Sequence, residues 1–311
     1  MKHAAILLSV LVGCGGGGAS SDGPTDTGVR DTGAPDTTLS DTATDIGTDT
    51  GVADSVGDGD AAVPWPTCDA KPDGATATTL PEVWKADPKK PVFEWVSGAM
   101  VTGVSYGGCT AGKSCQMFLQ DGSYGTLAAS SGHAIKFFAS IATGGRFAGI
   151  AVGDKVDIAA YGLRYTLDGQ NELILEVNDL LRGCMKKTGT GTIDAVPATL
   201  AELGTTDAYE NKYGPVLVKV LDLRGKADVS LGMTFGLFTI GVDAGAPVVS
   251  LSPYYLPGGS FGAPVVVSTT LDMASVTAVF GMFVPPPATD GGTATKYLQL
   301  YPRTMADVVK K

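Results

Sequence analysis

The sequence predicts an all-β protein: two tandem five-stranded barrels, residues 64–190 and 191–311, behind a disordered N-terminal tether. Three observations predict it. The strand-like phrase "VDIAAYGLRY" at 156–165 returns as "SVTAVFGMFV" at 275–284, aligning Gly162 with Gly281 at an offset of 119. "TTLPE", ending at Glu82, returns as "ATLAE", ending at Glu202, at the nearly equal offset of 120. Two independent matches at almost one spacing mark a duplicated module. Finally, the 43 glycines divide β-branched and aromatic runs into short segments, which favours turn-rich β structure over long helices.

Residues 1–13 read as an export signal. Lys2 supplies a short positive start, and "AAILLSVLVG" is an apolar run too short to span a bilayer. The run ends in "LVGC", residues 11–14, which resembles the bacterial lipobox. That resemblance implies acylation of Cys14, with chains such as palmitate, and a membrane partner through the lipid anchor. Gly15, a residue other than Asp after the Cys, implies a cell-envelope address at the outer membrane.

Residues 14–63 carry the lipidated Cys and the tether. This segment is Gly, Ser, Thr, Asp and Ala with almost no large apolar side chain, so it lacks the surface to offset its ordering entropy. A coil of this length reaches roughly 35–40 Å. Residues 22–60 hold ten Asp, no Glu and one basic residue, Arg30. They therefore account for −9 of the chain's net −10 and leave the remainder near neutral. Calcium binding is disfavoured, because the EF-hand spacing and a closing Glu are both missing.

Each copy opens on a capping-box spacing, Thr79 to Glu82 and Thr199 to Glu202, which predicts a short helical turn. The strands expected in copy one are 92–106, 115–121, 134–140, 155–165 and 172–177. Those expected in copy two are 215–223, 235–242, 263–271, 275–284 and 296–301. A Gly in the long first strand of copy one, and one inside the fourth strand of each copy, are expected to permit the bends of barrel closure. Four cysteines remain after Cys14. Cys109 and Cys115 bracket the turn "TAGKS", and elimination then pairs Cys68 with Cys184, one of three possible connectivities.

"VSGAMVTGV" (96–104), "MFLQD" (117–121), "VGDKVDIAAYG" (152–162), "NELILEV" (171–177) and the tail "YLQLYPRTMADVV" (297–309) resemble the bacterial extracytoplasmic OB-fold family. The resemblance covers residues 77–311 and implies two small OB-like barrels. It speaks to fold rather than to ligand. The region beyond the tether departs from nucleic-acid-binding members in being near neutral, so a nucleic-acid partner is not expected.

"GGCTAGKS" (107–114) matches the Walker A expression, but a strand-like run follows it where a phosphate loop needs a helix. "SSGH" (130–133) sets Ser130 and Ser131 beside His133 with no nucleophile elbow, and "GTGTID" (189–194) lacks the third Gly of a dinucleotide fingerprint. No cofactor or metal site is expected, since C-x-x-C spacing is absent and His133 is the single His after the signal. Binding is the remaining expectation. OB barrels present ligands on one sheet face and on the loops joining strands one–two and four–five. Copy one offers Tyr106, Tyr165 and Asn171 there; copy two offers Tyr254, Tyr255 and Phe261 in "SPYYLPGGSFG". These aromatics either stack on sugars or bases, or pack over the barrel mouths and against the neighbouring barrel. The expected function is a non-catalytic binding or scaffolding module for a protein or glycan. An envelope hydrolase with an unrecognised site, or a nucleic-acid-binding OB protein, is the alternative.

Overall fold

The computed structural model describes residues 65–105, 108–166, 169–227, 238–241, 249–256, 270–284 and 295–311. Asp60–Lys311 form one compact unit. It is built almost entirely of strands, with short helical turns between them.

The first sheet comprises β1 (Thr76–Thr78), β2 (Val92–Val104), β3 (Cys115–Gln120), β4 (Ala134–Ala139), β5 (Asp154–Tyr165), β6 (Glu172–Val177) and β7 (Cys184–Thr190). Its order is β1-β2-β3-β4-β6-β5-β7, and β2 also pairs with β5. The ring β2-β3-β4-β6-β5 therefore closes on itself, a five-stranded barrel of the OB type. β1 runs parallel along Glu94–Val96, while β3 takes the rest of β2 from Met100 onward. β7 lines Asp154–Ala159 of β5, and β6 takes Tyr161–Tyr165. Leu80, Ile135, Phe137, Ile158, Leu173 and Leu175 fill the interior. Each such side chain contributes about 1.5–3 kcal/mol by leaving water.

The second sheet comprises β8 (Val196–Pro197), β9 (Leu217–Ala227), β10 (Phe238–Gly241), β11 (Val249–Leu251), β12 (Thr270–Phe283), β13 (Tyr297–Tyr301) and β14 (Val308–Lys310). Its order is β14-β12-β13-β11-β10-β9-β8, with β12 also on β9. The pairings repeat those of the first ring, element for element. A short parallel strand precedes the first ring strand in both, and a last strand lies antiparallel on the fourth in both.

The two opening turns form as their spacing requires. In α1 (Leu80–Ala86) the Thr79 N–H donates to Glu82 Oε2 at 3.0 Å and Glu82 N–H returns to Thr79 Oγ1 at 3.4 Å. In α2 (Leu200–Leu203) the matching distances are 2.8 and 3.3 Å, between Thr199 and Glu202.

Three expectations need correction. The third ring strand of the second copy is Val249–Leu251, not 263–271. Of that run, Thr270 and Leu271 open β12, and 263–269 lie outside the described residues. The glycines on the fourth strands carry no bulge: pairing runs unbroken through Gly162 (to Val92 and Leu175) and Gly281 (to Gln299). They make room instead. A Cβ at Gly162 would meet Val83 of α1 at 3.3 Å, and one at Gly281 would meet the Tyr301 ring at 2.1 Å. The bend falls on β2, where register shifts between Val96 and Ala99 and Gly98 takes φ +73°. Asp157 pins that bulge, accepting from Ser97 Oγ at 2.6 Å and from Gly98 N–H at 2.8 Å. Finally, the edge strands β1, β7, β8 and β14 were not expected, being too short or too polar to stand out by pattern.

Candidate binding surface

The first barrel and the second sheet are joined by a buried seam. Gly103 of β2 admits it: a Cβ there would meet Phe118 at 2.9 Å and Val279 of the second sheet at 3.2 Å. Phe118, Leu217, Tyr255, Val279 and Tyr301 form one buried cluster across the two copies. Tyr255 packs on Phe118 (centroids 5.1 Å apart) and on Tyr301 (4.8 Å), and its hydroxyl donates to Gln116 Oε1 at 3.2 Å. Leu127 and Ala134 of the first copy enter the core of the second.

Polar groups close the same seam. Glu172 is buried and accepts from the Tyr209 hydroxyl and from Lys136 Nζ at 2.9 Å. Burial, reinforced by the Glu172 charge and hydrogen bond, holds the Tyr209 hydroxyl well above the ordinary tyrosine range. Burial likewise raises Tyr255 and Tyr301, with the neighbouring tyrosines and Glu172 adding to it. The Tyr209 and Tyr255 phenols donate, to Glu172 and to Gln116. Arg164 Nη1 donates to the Glu210 carbonyl at 3.0 Å, and Lys296 Nζ lies 2.5 Å from Glu210 Oε1.

His133 has a defined role here. Its Nδ1 stands 2.7 Å from Asp121 Oδ1 and 2.6 Å from Tyr124 Oη, while Tyr124 Oη is 2.6 Å from Asp121 Oδ1. Burial first, then the Asp121 hydrogen bond and charge, push the Tyr124 hydroxyl far up. Ser130 Oγ donates to the Leu127 carbonyl and Ser131 Oγ to the Lys212 carbonyl. Neither serine hydroxyl is engaged with the imidazole; Ser131, through the Lys212 carbonyl, holds the β3–β4 connection against the second copy, while His133, Asp121 and Tyr124 bond one another within that connection. The Walker-like segment leads into β3, a strand.

The candidate contact residues separate. Tyr255 is 7% exposed and belongs to the seam, so it packs against the neighbouring barrel. Tyr254 is 39% exposed and stands edge-on to Tyr255, with centroids 5.1 Å apart. Both lie on the connection between β11 and β12, the third and fourth ring strands, rather than on the one–two or four–five loops. Tyr165 ends β5, and the Asn171 carbonyl accepts from Arg164 Nη1 at 3.3 Å, before β6. Tyr106 and Phe261 lie outside the described residues, as does Cys14.

The cysteines pair as the sequence predicts, Cys68 with Cys184, with Cα atoms 5.6 Å apart, and Cys109 with Cys115 at 4.6 Å; a second feature, beside the first pair, was not expected from sequence. Beside the first pair lies an open cleft of about 500 Å³, lined by Thr67, Asp69, Arg146, Phe147, Met185 and Lys186 among others. The Arg146 guanidinium sits over the Trp65 ring at 4.1 Å, and Arg182 is 5.6 Å from the same ring. Residues so far apart in the chain give no local motif. The one usable signal is the Cys68–Cys184 pairing, which brings 65–69 beside 182–186.

No family model and no curated relative matches the chain. Among solved structures, a replication protein A heterotrimer bound to single-stranded DNA is similar at 13% identity, covering 68% of this chain and 49% of that one, with a TM-score of 0.26. The match thus spans about half of that chain, and so low a score carries no argument about ligand.

Proposed function

We propose that this chain is a lipid-anchored envelope protein, held at the outer membrane through Cys14, whose fused barrels act as a non-catalytic binding or scaffolding module for a protein or glycan. The observation that carries the reading is the use to which the reactive groups are put. Glu172 accepts from Tyr209 of the second copy and from Lys136 of its own, the Glu210 carbonyl accepts from Arg164 across the seam and its carboxylate from Lys296, and His133 is held by Asp121 and Tyr124 within the first copy, so side chains suited to acid–base work are engaged in structural contacts. A rigid body on a solvated, acidic spacer suits display of a fixed surface at a distance from the membrane.

The test has two arms. Cys14→Ser is expected to move the protein from the membrane fraction to the soluble fraction and to abolish palmitate incorporation. Unchanged partitioning would remove the anchor from the reading. Immobilised Cys14→Ser protein is expected to retain a specific protein or glycan from envelope extract at near one-to-one stoichiometry. Conversion of an envelope polymer to new products would favour the hydrolase alternative.

A further inference from the structure

We infer that the cleft beside the Cys68–Cys184 pair binds an acidic glycan, a saccharide carrying carboxylate or phosphate groups; the inference rests on the binding-module reading and names the ligand class. Arg146 and Lys186 line the cleft, and Trp65 and Arg182 adjoin it through the ring that Arg146 and Arg182 share, so three separated segments of the chain meet at one place. Each segment is pinned. The Cys68–Cys184 pair ties the Trp65 segment to the start of β7. Gly144 and Gly145 precede Arg146, and a Cβ on them would meet the Lys113 carbonyl oxygen at 2.0 Å and the Ala111 Cα at 2.8 Å. Gly183 follows Arg182, and its Cβ would meet the Ala159 carbonyl oxygen at 2.3 Å. Only glycine allows the backbone to come this close, so the two arginines stand on fixed supports rather than on free loops.

Their charge is unspent. Among the described residues neither Arg146 nor Arg182 pairs with a carboxylate; Lys186 does, with Asp69 at 2.7 Å. The Trp65 face holds the Arg146 guanidinium by cation–π attraction and leaves its N–H edge to donate. A planar fork of this kind matches carboxylate or phosphate oxygens bidentately. Asp69 and Thr67 add groups that accept from or donate to sugar hydroxyls. The Trp65 ring is already covered by Arg146, so it is no stacking platform for bases. An acidic saccharide fits these conditions better than single-stranded nucleic acid.

The experiment uses the full chain bearing Cys14→Ser. Binding is measured for three probes of matched length: oligogalacturonate, its neutral methyl ester, and an oligothymidylate. The acidic saccharide is expected to bind, with affinity falling as salt rises, and the methyl ester is expected to bind far less. Arg146→Ala with Arg182→Ala is expected to weaken acidic-probe binding about tenfold or more, the loss of two charge-assisted contacts. Arg146→Lys, which keeps the charge and loses the fork, is expected to fall between. Lys219→Ala, on an exposed site of the second sheet, is the control and is expected to change nothing. Absence of acidic-probe binding, equal binding of the ester, or indifference to the double substitution would overturn the assignment. Tighter binding of oligothymidylate would replace it with a nucleic-acid site. Envelope capture that survives the double substitution would leave the binding-module reading intact while removing this cleft from it.

Discussion

The Leu217 backbone N–H, at the first residue of β9, donates to Gln120 Oε1 of β3 at 3.0 Å. Gln120 is fully buried, and its Nε2 donates to the Gly122 carbonyl at 2.8 Å. One amide thus closes a turn in the first barrel and caps the first ring strand of the second sheet. The two copies are joined by a buried, satisfied polar contact inside an apolar cluster, the arrangement that fixes one mutual geometry.

Gln120→Leu leaves the Leu217 N–H buried without its acceptor, at a cost of about 1–3 kcal/mol. The melting temperature is expected to fall by several degrees. An unchanged value, measured by calorimetry, would show that the seam does not depend on this contact.

The two aligned glycines are expected to behave differently. Gly281→Ala forces a Cβ into the Tyr301 ring, whereas Gly162→Ala meets the Val83 methyl and Glu94 Cγ at 3.3 Å, where small shifts suffice. Overpacking of the first kind costs about 1–3 kcal/mol. Gly281→Ala is therefore expected to lower the melting temperature clearly more than Gly162→Ala, and Tyr301→Leu is expected to recover part of the loss. Equal effects would contradict the packing account.

The architecture was legible because the capping residues and the strand periods act locally. Thr79 with Glu82, and Thr199 with Glu202, form their reciprocal bonds within four residues, so spacing alone announces them. The strands of the first copy fall within a residue or two of their expected bounds for the same reason. What failed was decided by tertiary contact. Gly162 and Gly281 look alike in sequence, yet their neighbours, Val83 and Tyr301, come from other elements. Tyr255 looks like a ligand contact until Phe118, far away in the chain, is placed against it. Trp65 and Arg146 meet only because a third segment, ending at Cys184, is drawn to Cys68.

The two cysteine pairs close loops of very different size, with sequence separations of 116 and 6 residues. The chain-entropy model assigns them about 5 and about 2 kcal/mol respectively, as upper figures. Cys184→Ser is expected to lower the melting temperature more than Cys115→Ser. Non-reducing peptide mapping is expected to recover Cys68 linked to Cys184; linkage of Cys68 to Cys109 would contradict the pairing.

Two buried carboxylates should respond oppositely to pH. Burial, aided by the Glu82 charge, raises the Glu94 pKa, so its charged form is disfavoured in the fold. Its destabilising effect is present at neutral pH and disappears as pH falls through the raised value toward the usual range near 4.3. Burial also acts on Asp154, but the Lys187 ammonium and the Ala151 N–H outweigh it and lower its pKa. Its stabilising effect is present above about 3.9 and is lost as pH falls through the lowered value. Glu94→Gln is thus expected to raise the melting temperature at pH 7 and Asp154→Asn to lower it. Both differences should shrink below pH 4 or so, and thermal scans across that range check the two signs.

The central claim is that this body binds rather than turns over its partner. The most direct measurement incubates full-length Cys14→Ser protein, at substoichiometric amount, with purified envelope polymers and follows both retention and products by mass spectrometry. The account predicts saturable, near one-to-one retention with the polymer chemically unchanged. Product accumulating beyond one equivalent per chain, and lost in His133→Ala, would contradict it.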